Sequence, residues 1–233
     1  FILQKLREKR LAPSEAAKPL DLLRRLTLIN HGLPPTPEQM KQFSTGDSYI
    51  DLVEAILESP HFGERWAAHW LDLVRFGETT GYEVNRERPN AFHYRDYVIA
   101  AFNTDKPYDR FVKEQIAGDQ FGNDVGTGFL VAGPNDLVKS SDQNLTKMQR
   151  QDELADYINA TGTTFLGLTI GCARCHNHKF DAITQKDYYA MQAIFAGVGH
   201  GNRSLTPTLE HVARQTFVSS QIRKLETQLL RYV

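Results

Sequence analysis

Both cysteines of this 233-residue chain lie in one short stretch, Gly171-Cys172-Ala173-Arg174-Cys175-His176. Apart from a bond inside that stretch, no disulfide can staple the fold, so the chain has to hold its shape by burying a core. Two thiols separated by two residues and followed at once by a histidine form the attachment pattern of a c-type haem. The chemistry explains the spacing. Each thiol adds across one vinyl group of the porphyrin, the vinyls lie a fixed distance apart, and the next residue is held beneath the iron. Cys172 and Cys175 are therefore expected to anchor one covalently attached haem c, with His176 as its proximal iron ligand.

Competing chemistries fit the spacing less well. Cys172, Cys175, His176 and His178 are four donors within seven residues. Structural zinc normally takes two separated pairs, whereas Cys175 and His176 are adjacent and no second cysteine pair exists. A thioredoxin-like dithiol wants a strand before the motif and a helix starting at it, but here a helical pattern runs into it. On the opposite face of the iron, His69 and His200 rank ahead of Met148 and Met191 as a sixth ligand. A methionine there would raise the potential, and an open position would permit ligand binding. His178 is too close in sequence to reach that face, and is expected to hold a propionate or cap a carbonyl. Arg174 and Lys179 suit the haem propionates, because guanidinium and ammonium groups form charge-assisted bonds with carboxylates.

The remaining composition excludes more than it selects. Charged residues make up 24% and the formal net charge is -1, so no global field draws the protein to nucleic acid or an anionic membrane. No apolar run approaches the length of a bilayer span. The chain starts at Phe1 without a signal-peptide pattern, and is expected to be a piece of something longer.

Hydrophobic periodicity gives helices and no convincing strand. A short helix over 1–11 carries Ile2, Leu3 and Leu6, and a second over 20–29 carries Leu22, Leu23, Leu26 and Ile29. Thr36-Pro37 is a helix start. Asp47 or Ser48 begins a helix burying Ile50, Val53, Ile56 and Leu57. Ser59-Pro60 leads into one with the stripe Phe62, Trp66, Trp70 and Leu73. Residues 77–89 form a polar loop, and 90–103 a helix. Residues 120–146, rich in glycine, read as a surface excursion over the core. A long helix from near Thr146, with Leu154, Ile158, Phe165 and Leu168 inward, delivers the chain to Gly171. Thr184 caps a helix with Tyr188, Met191 and Ile194 inward. Thr206-Pro207 starts a final helix reading to Val233, with Val212, Phe217, Ile222, Leu225 and Leu229 apolar. The dense charges Glu78, Glu83, Arg86, Arg88, Arg95 and Asp96 form either a substrate or partner site or an ordinary ion-pair network.

Several blocks resemble the planctomycete cytochrome-c-type domain of unknown function, the PSCyt family. They are Leu26-Thr27 with residues 32–37, Gly63-Glu64-Arg65-Trp66 through Asp72, Asn90-Ala91-Phe92-His93-Tyr94 through Ile99, Asn103 through Asp109, the stretch from Gly167 to Ile183, and Phe195-Ala196-Gly197. Ala182 stands where that family usually has proline, which alters a turn and leaves the chemistry alone. The resemblance implies a large exported bacterial protein, often with a cytochrome segment upstream and another uncharacterised domain downstream.

The expected fold is mainly α: an irregular multi-helix domain around a covalently attached haem over 1–203, with a C-terminal helical arm over 204–233 leading towards a downstream region. The expected function is electron transfer within a larger exported redox protein, at the periplasm or cell surface, to a redox partner or adjoining domain. The alternatives are a haem-dependent oxidoreductase and a zinc-stabilised interaction domain.

Overall fold

Hydroxyl and proline residues set most of the helix starts. In the computed structural model, which describes residues 1–44, 48–204 and 209–229, α1 spans Ile2–Glu8, α2 Pro19–Asn30, α3 Pro37–Ser44, α4 Tyr49–Leu57 and α5 Pro60–Leu73. Thr36 and Gln39 cap α3 reciprocally: the Gln39 amide donates to Thr36 Oγ1 at 3.2 Å, and the Thr36 amide to Gln39 Oε1 at 2.9 Å. Ser48 caps α4, and Ser59 caps α5 with Pro60 at its first position. Asp47, the alternative start of α4, lies outside the described residues, as do Thr206-Pro207 and the stretch after Leu229.

The middle of the chain adds α6 (Phe92–Asn103), α7 (Tyr108–Ala117) and α8 (Gln143–Thr161), and the motif is followed by α9 (Gln185–Phe195). The described chain divides into two units, 1–199 and 200–233. The second contains α10 (Leu209–Leu229), whose Val212, Phe217, Ile222, Leu225 and Leu229 are exposed. Among the described residues there is one isolated antiparallel bridge, Thr79 to Glu87, inside the 77–89 loop. No described helix is long and apolar enough to cross a membrane.

Several helices bury a narrower face than their apolar periodicity suggests. Leu23 and Thr27 of α2 are buried, as is Ile56 of α4, while Ile29, Ile50 and Leu57 are exposed. Short helices bury the ridge that a neighbour reaches and leave flanking apolar positions in water. His31 completes the α2–α4 contact through its Nε2, 2.9 Å from the Ile56 carbonyl, a group in the last turn of α4 with no partner within the helix. In α9, Tyr188 and Phe195 point in and Ile194 is 73% exposed, correcting the inward assignment of Ile194.

The largest revision concerns residues 120–146. Their ends run over the surface as expected, but the middle does not: Phe129 is fully buried and Leu130 and Ala132 nearly so, while Leu137, Val138 and Leu145 are exposed. An apolar run of that length gains more in the core than over it. The glycines let it enter. A Cβ on Gly126 would lie 2.5 Å from the Glu114 carbonyl oxygen, so the loop touches the backbone of α7. Phe129 then meets the ring of Phe165 at 4.8 Å, and Phe165 meets Trp70 at 5.9 Å. Trp70 Nε1 donates to Gln115 Oε1 at 3.0 Å, and the Tyr94 hydroxyl donates to the same oxygen at 2.6 Å. The polar atoms of this buried group are thereby satisfied.

Glu114, only 5% exposed, ties this region together. Its Oε2 accepts from the Tyr97 hydroxyl at 3.0 Å, from Asn123 Nδ2 at 2.9 Å and from Lys106 Nζ, and Oε1 accepts from Arg110 Nε at 2.7 Å. Burial pushes its carboxyl pKa up, but the hydrogen bonds from Lys106, Arg110 and Tyr97 outweigh burial and bring it from 4.5 down to about 2. The folded value is depressed, so the stabilisation is complete above the ordinary carboxylate range and is lost as pH falls through about 4.5 towards 2. A shift of that size corresponds to about 3 kcal/mol. Glu114→Gln should cost stability of that order at pH 7 in urea unfolding. Its midpoint should also lose the part of the pH 4.5-to-2 decline that the wild-type protein shows.

Candidate functional site

The cysteine motif enters the fold through a change of helix type. α8 ends at Thr161, a π-helical turn follows over Gly162–Leu166, and Gly167 takes the left-handed conformation at φ 64°. The continuous helix expected as far as Gly171 therefore stops short, and residues Ile170–Arg174 form a separate 3₁₀ turn with Cys175 at its C-terminal cap. A 3₁₀ helix has three residues per turn, so positions three apart eclipse one another. Ile170 and Ala173 share the inner face and are buried, Ala173 completely. Cys172 and Cys175 share the outer face, both exposed and both free thiols. The sequence spacing thus puts the two sulfurs on one side of one turn.

Close packing beneath the turn fixes that orientation. A Cβ on Gly171 would come 2.6 Å from Asn159 Oδ1 of α8. Arg174 NH1 donates to Asp152 of α8 at 2.8 Å, and this hydrogen bond raises the guanidinium pKa above its ordinary value. The Arg174 carbonyl accepts from Gln185 Nε2 at 3.1 Å and from the Tyr189 hydroxyl at 3.2 Å, both in α9. Asn177 Oδ1 accepts the Gln185 amide at 2.9 Å, and Thr184 with Asp187 forms a capping box. α8 and α9 hold the turn from two sides.

His176 is exposed, with Nδ1 2.8 Å from the Asn177 carbonyl oxygen. That contact makes Nδ1 the protonated nitrogen and leaves Nε2 with its lone pair available, the tautomer an iron ligand needs. His178 does not cap a carbonyl through its side chain. Its Nδ1 accepts the Asp181 amide at 2.9 Å, and its own amide donates to the Ile183 carbonyl at 2.8 Å, closing the 178–183 loop around the imidazole. Phe180 projects from that loop 85% exposed, and Lys179 Nζ lies 5.2 Å from its ring centroid.

The other candidates lie elsewhere. His69 is on the exposed side of α5, edge-on to Trp66 at 5.8 Å, and lines a groove to which no motif residue contributes. His200 begins the second unit. Among the described residues no three His, Cys, Asp or Glu side chains gather into a metal-holding group, so the four donors of the zinc reading do not converge. The charged cluster disperses as well. Arg88 points inward and donates to the Val131, Ala132 and Gly133 carbonyls, and Arg95 pairs with Glu78 and Asp96 on the surface.

Asp152, Asn159 and Gln185 were not visible as site residues, because nothing local marks a partner on another helix. Asn177 carried a faint signal as a polar residue shortly before a helix start. The profile of the PSCyt2 family, described as a protein of unknown function (DUF1549), matches residues 1–200. The chain belongs to the PSCyt2 family. Neither curated proteins nor solved structures yield a match. The PSCyt2 match covers the motif, its two supporting helices and the whole first unit.

The inner and outer faces of the turn should respond oppositely to substitution. Ala173→Leu forces a larger side chain into a filled site and should cost about 1–3 kcal/mol. Cys172→Ser and Cys175→Ser, facing water, should leave the apoprotein within about 0.5 kcal/mol of wild type. Urea titration of the three variants checks both.

Proposed function

We propose that the PSCyt2 domain carries one covalently attached haem c and serves in electron transfer within a larger exported protein. The observation that carries this reading is the pairing of Cys172 and Cys175 on the outer face of a single turn, with His176 directly after it. The residues fit the group. Both thiols are free and accessible, as thioether formation requires, and His176 presents Nε2 because Nδ1 is engaged with Asn177. Bound there, haem supplies a one-electron carrier whose potential depends on its axial ligands, hydrogen bonding and exposure.

The chain's own part is to hold and orient. Cys172 and Cys175 fix the porphyrin at two points, and Ala173 and Ile170 keep the turn from rotating. The Asn177 carbonyl sets the His176 tautomer. Lys179, exposed beside the motif, is free to meet a propionate, whereas Arg174 has to share its guanidinium with Asp152. In the same proposal His69 would supply a second iron ligand. So does a periplasmic or cell-surface location, since covalent haem attachment takes place outside the bacterial cytoplasm. A redox partner or adjoining domain completes the scheme.

Expression with a haem-attachment system should give a protein with a sharp α band on dithionite reduction and colour that survives acid-acetone extraction. Cys172→Ser and Cys175→Ser should each weaken that retention, and His176→Ala should alter the spectrum with retention intact. A colourless protein, or unchanged haem retention in both cysteine variants, refutes the reading.

A further inference from the structure

The apolar stripe of α5 is only partly core. Trp70 is buried, but Trp66 is 37% exposed and Leu73 54%. With Phe62 of the same helix, Phe102 of α6 and Tyr108 of α7, they wall an open groove of about 440 Å³, the size of a small organic ligand. The polar groups at this groove are His69, Asp105 and Lys106. Lys106 is committed inward: its ammonium binds Glu114 and sits 4.7 Å from the Tyr97 ring centroid. It shares the Glu114 carboxylate with Arg110, and its contacts are with Glu114 and Tyr97.

Asp105 is different. It occupies the left-handed position after α6, φ 47°. Its amide donates to the Phe102 carbonyl at 3.2 Å, and the Lys106 amide to the Ala101 carbonyl at 2.9 Å. This is the backbone pattern of a Schellman cap, where glycine is the residue that meets no steric penalty. An aspartate stands there instead, beside an aromatic groove, and among the described residues its carboxylate has no ion-pair partner. Aromatic faces are electronegative and attract cations, and an uncompensated carboxylate adds a full charge. A neutral apolar ligand would strip water from that carboxylate without replacing it, and an anion would be repelled.

We propose that the groove between α5 and the α6–α7 turn binds a small organic cation with an apolar body, an alkyl- or arylammonium, held by Trp66 and Tyr108 and paired with Asp105. No residue of the cysteine motif lines the groove, and the proposal does not need haem; it requires only that His69, which does line it, stay free of the iron.

The chain's two tryptophans, Trp66 and Trp70, both line this groove, so intrinsic tryptophan fluorescence reports on it directly. The probe is benzyltrimethylammonium, compared with its uncharged carbon isostere neopentylbenzene. The cation should give a saturable change and bind more tightly than the isostere. Asp105→Asn and Asp105→Gly should each weaken cation binding about fivefold or more, the effect of losing one charged contact at a partly exposed site. Asp105→Gly should do so with an unchanged or raised melting temperature, because glycine suits the backbone there; weakened binding in a fully folded variant separates recognition from stability. Absence of a saturable change overturns the proposal, as does equal binding of cation and isostere or cation binding indifferent to Asp105→Asn. Tryptophan emission that ignores the cation but shifts with protein concentration would identify a second copy as the occupant and also overturn it.

Discussion

A carboxylate removed from water must be matched by donors, and Glu114 is matched by four. Those donors come from α6, from the α6–α7 connection, from α7 itself and from the chain that follows it. The arrangement therefore fixes where the segment after α7 can go. That segment carries Phe129, which seats against Phe165, and Phe165 lies in the π turn that feeds the cysteine motif. A charge cluster at one end of the core thus sets the floor under a turn contributed by residues far along the chain. Removing a donor leaves the buried Glu114 carboxylate under-matched, so the cluster behaves as a unit.

The helices were legible in the sequence because their signals are local. Ser48, Ser59-Pro60, Thr36-Pro37 and Thr184 all stand at helix starts in the structure. Which side of each helix would be covered was less legible. Ile50, Leu57 and Ile194 are as apolar as their buried neighbours and differ only in whether another helix reaches them. The burial of 129–132 was misread for a related reason. Glycines signal turns, and turns are usually on the surface, but here Gly126 lets a loop lie directly against α7.

At the motif the sequence showed the residue types and the structure supplied their direction. Spacing alone could not say that Cys172 and Cys175 face outward; that follows from Ala173 and Ile170 being drawn inward by the core. Nor could it show that Arg174 is shared with Asp152, or that His178 is engaged by the backbone of its own loop. The family relationship covers the same ground without adding a biochemical activity, so the functional reading rests on the turn and the histidine after it.

The π turn at 162–166 has a consequence for how this region can vary in length. Such a turn holds one residue more than an α-helical turn. Deleting a residue there would turn the end of that helical segment by about 100°, and only the short stretch 167–169 is left to absorb the change before Ile170 and Ala173 must face the core. Small insertions in the exposed stretch ahead of α8 shift nothing in the turn, because that loop takes them up before α8 begins. Between Thr161 and Ala173, the number of residues matters because Ile170 and Ala173 must both reach the core.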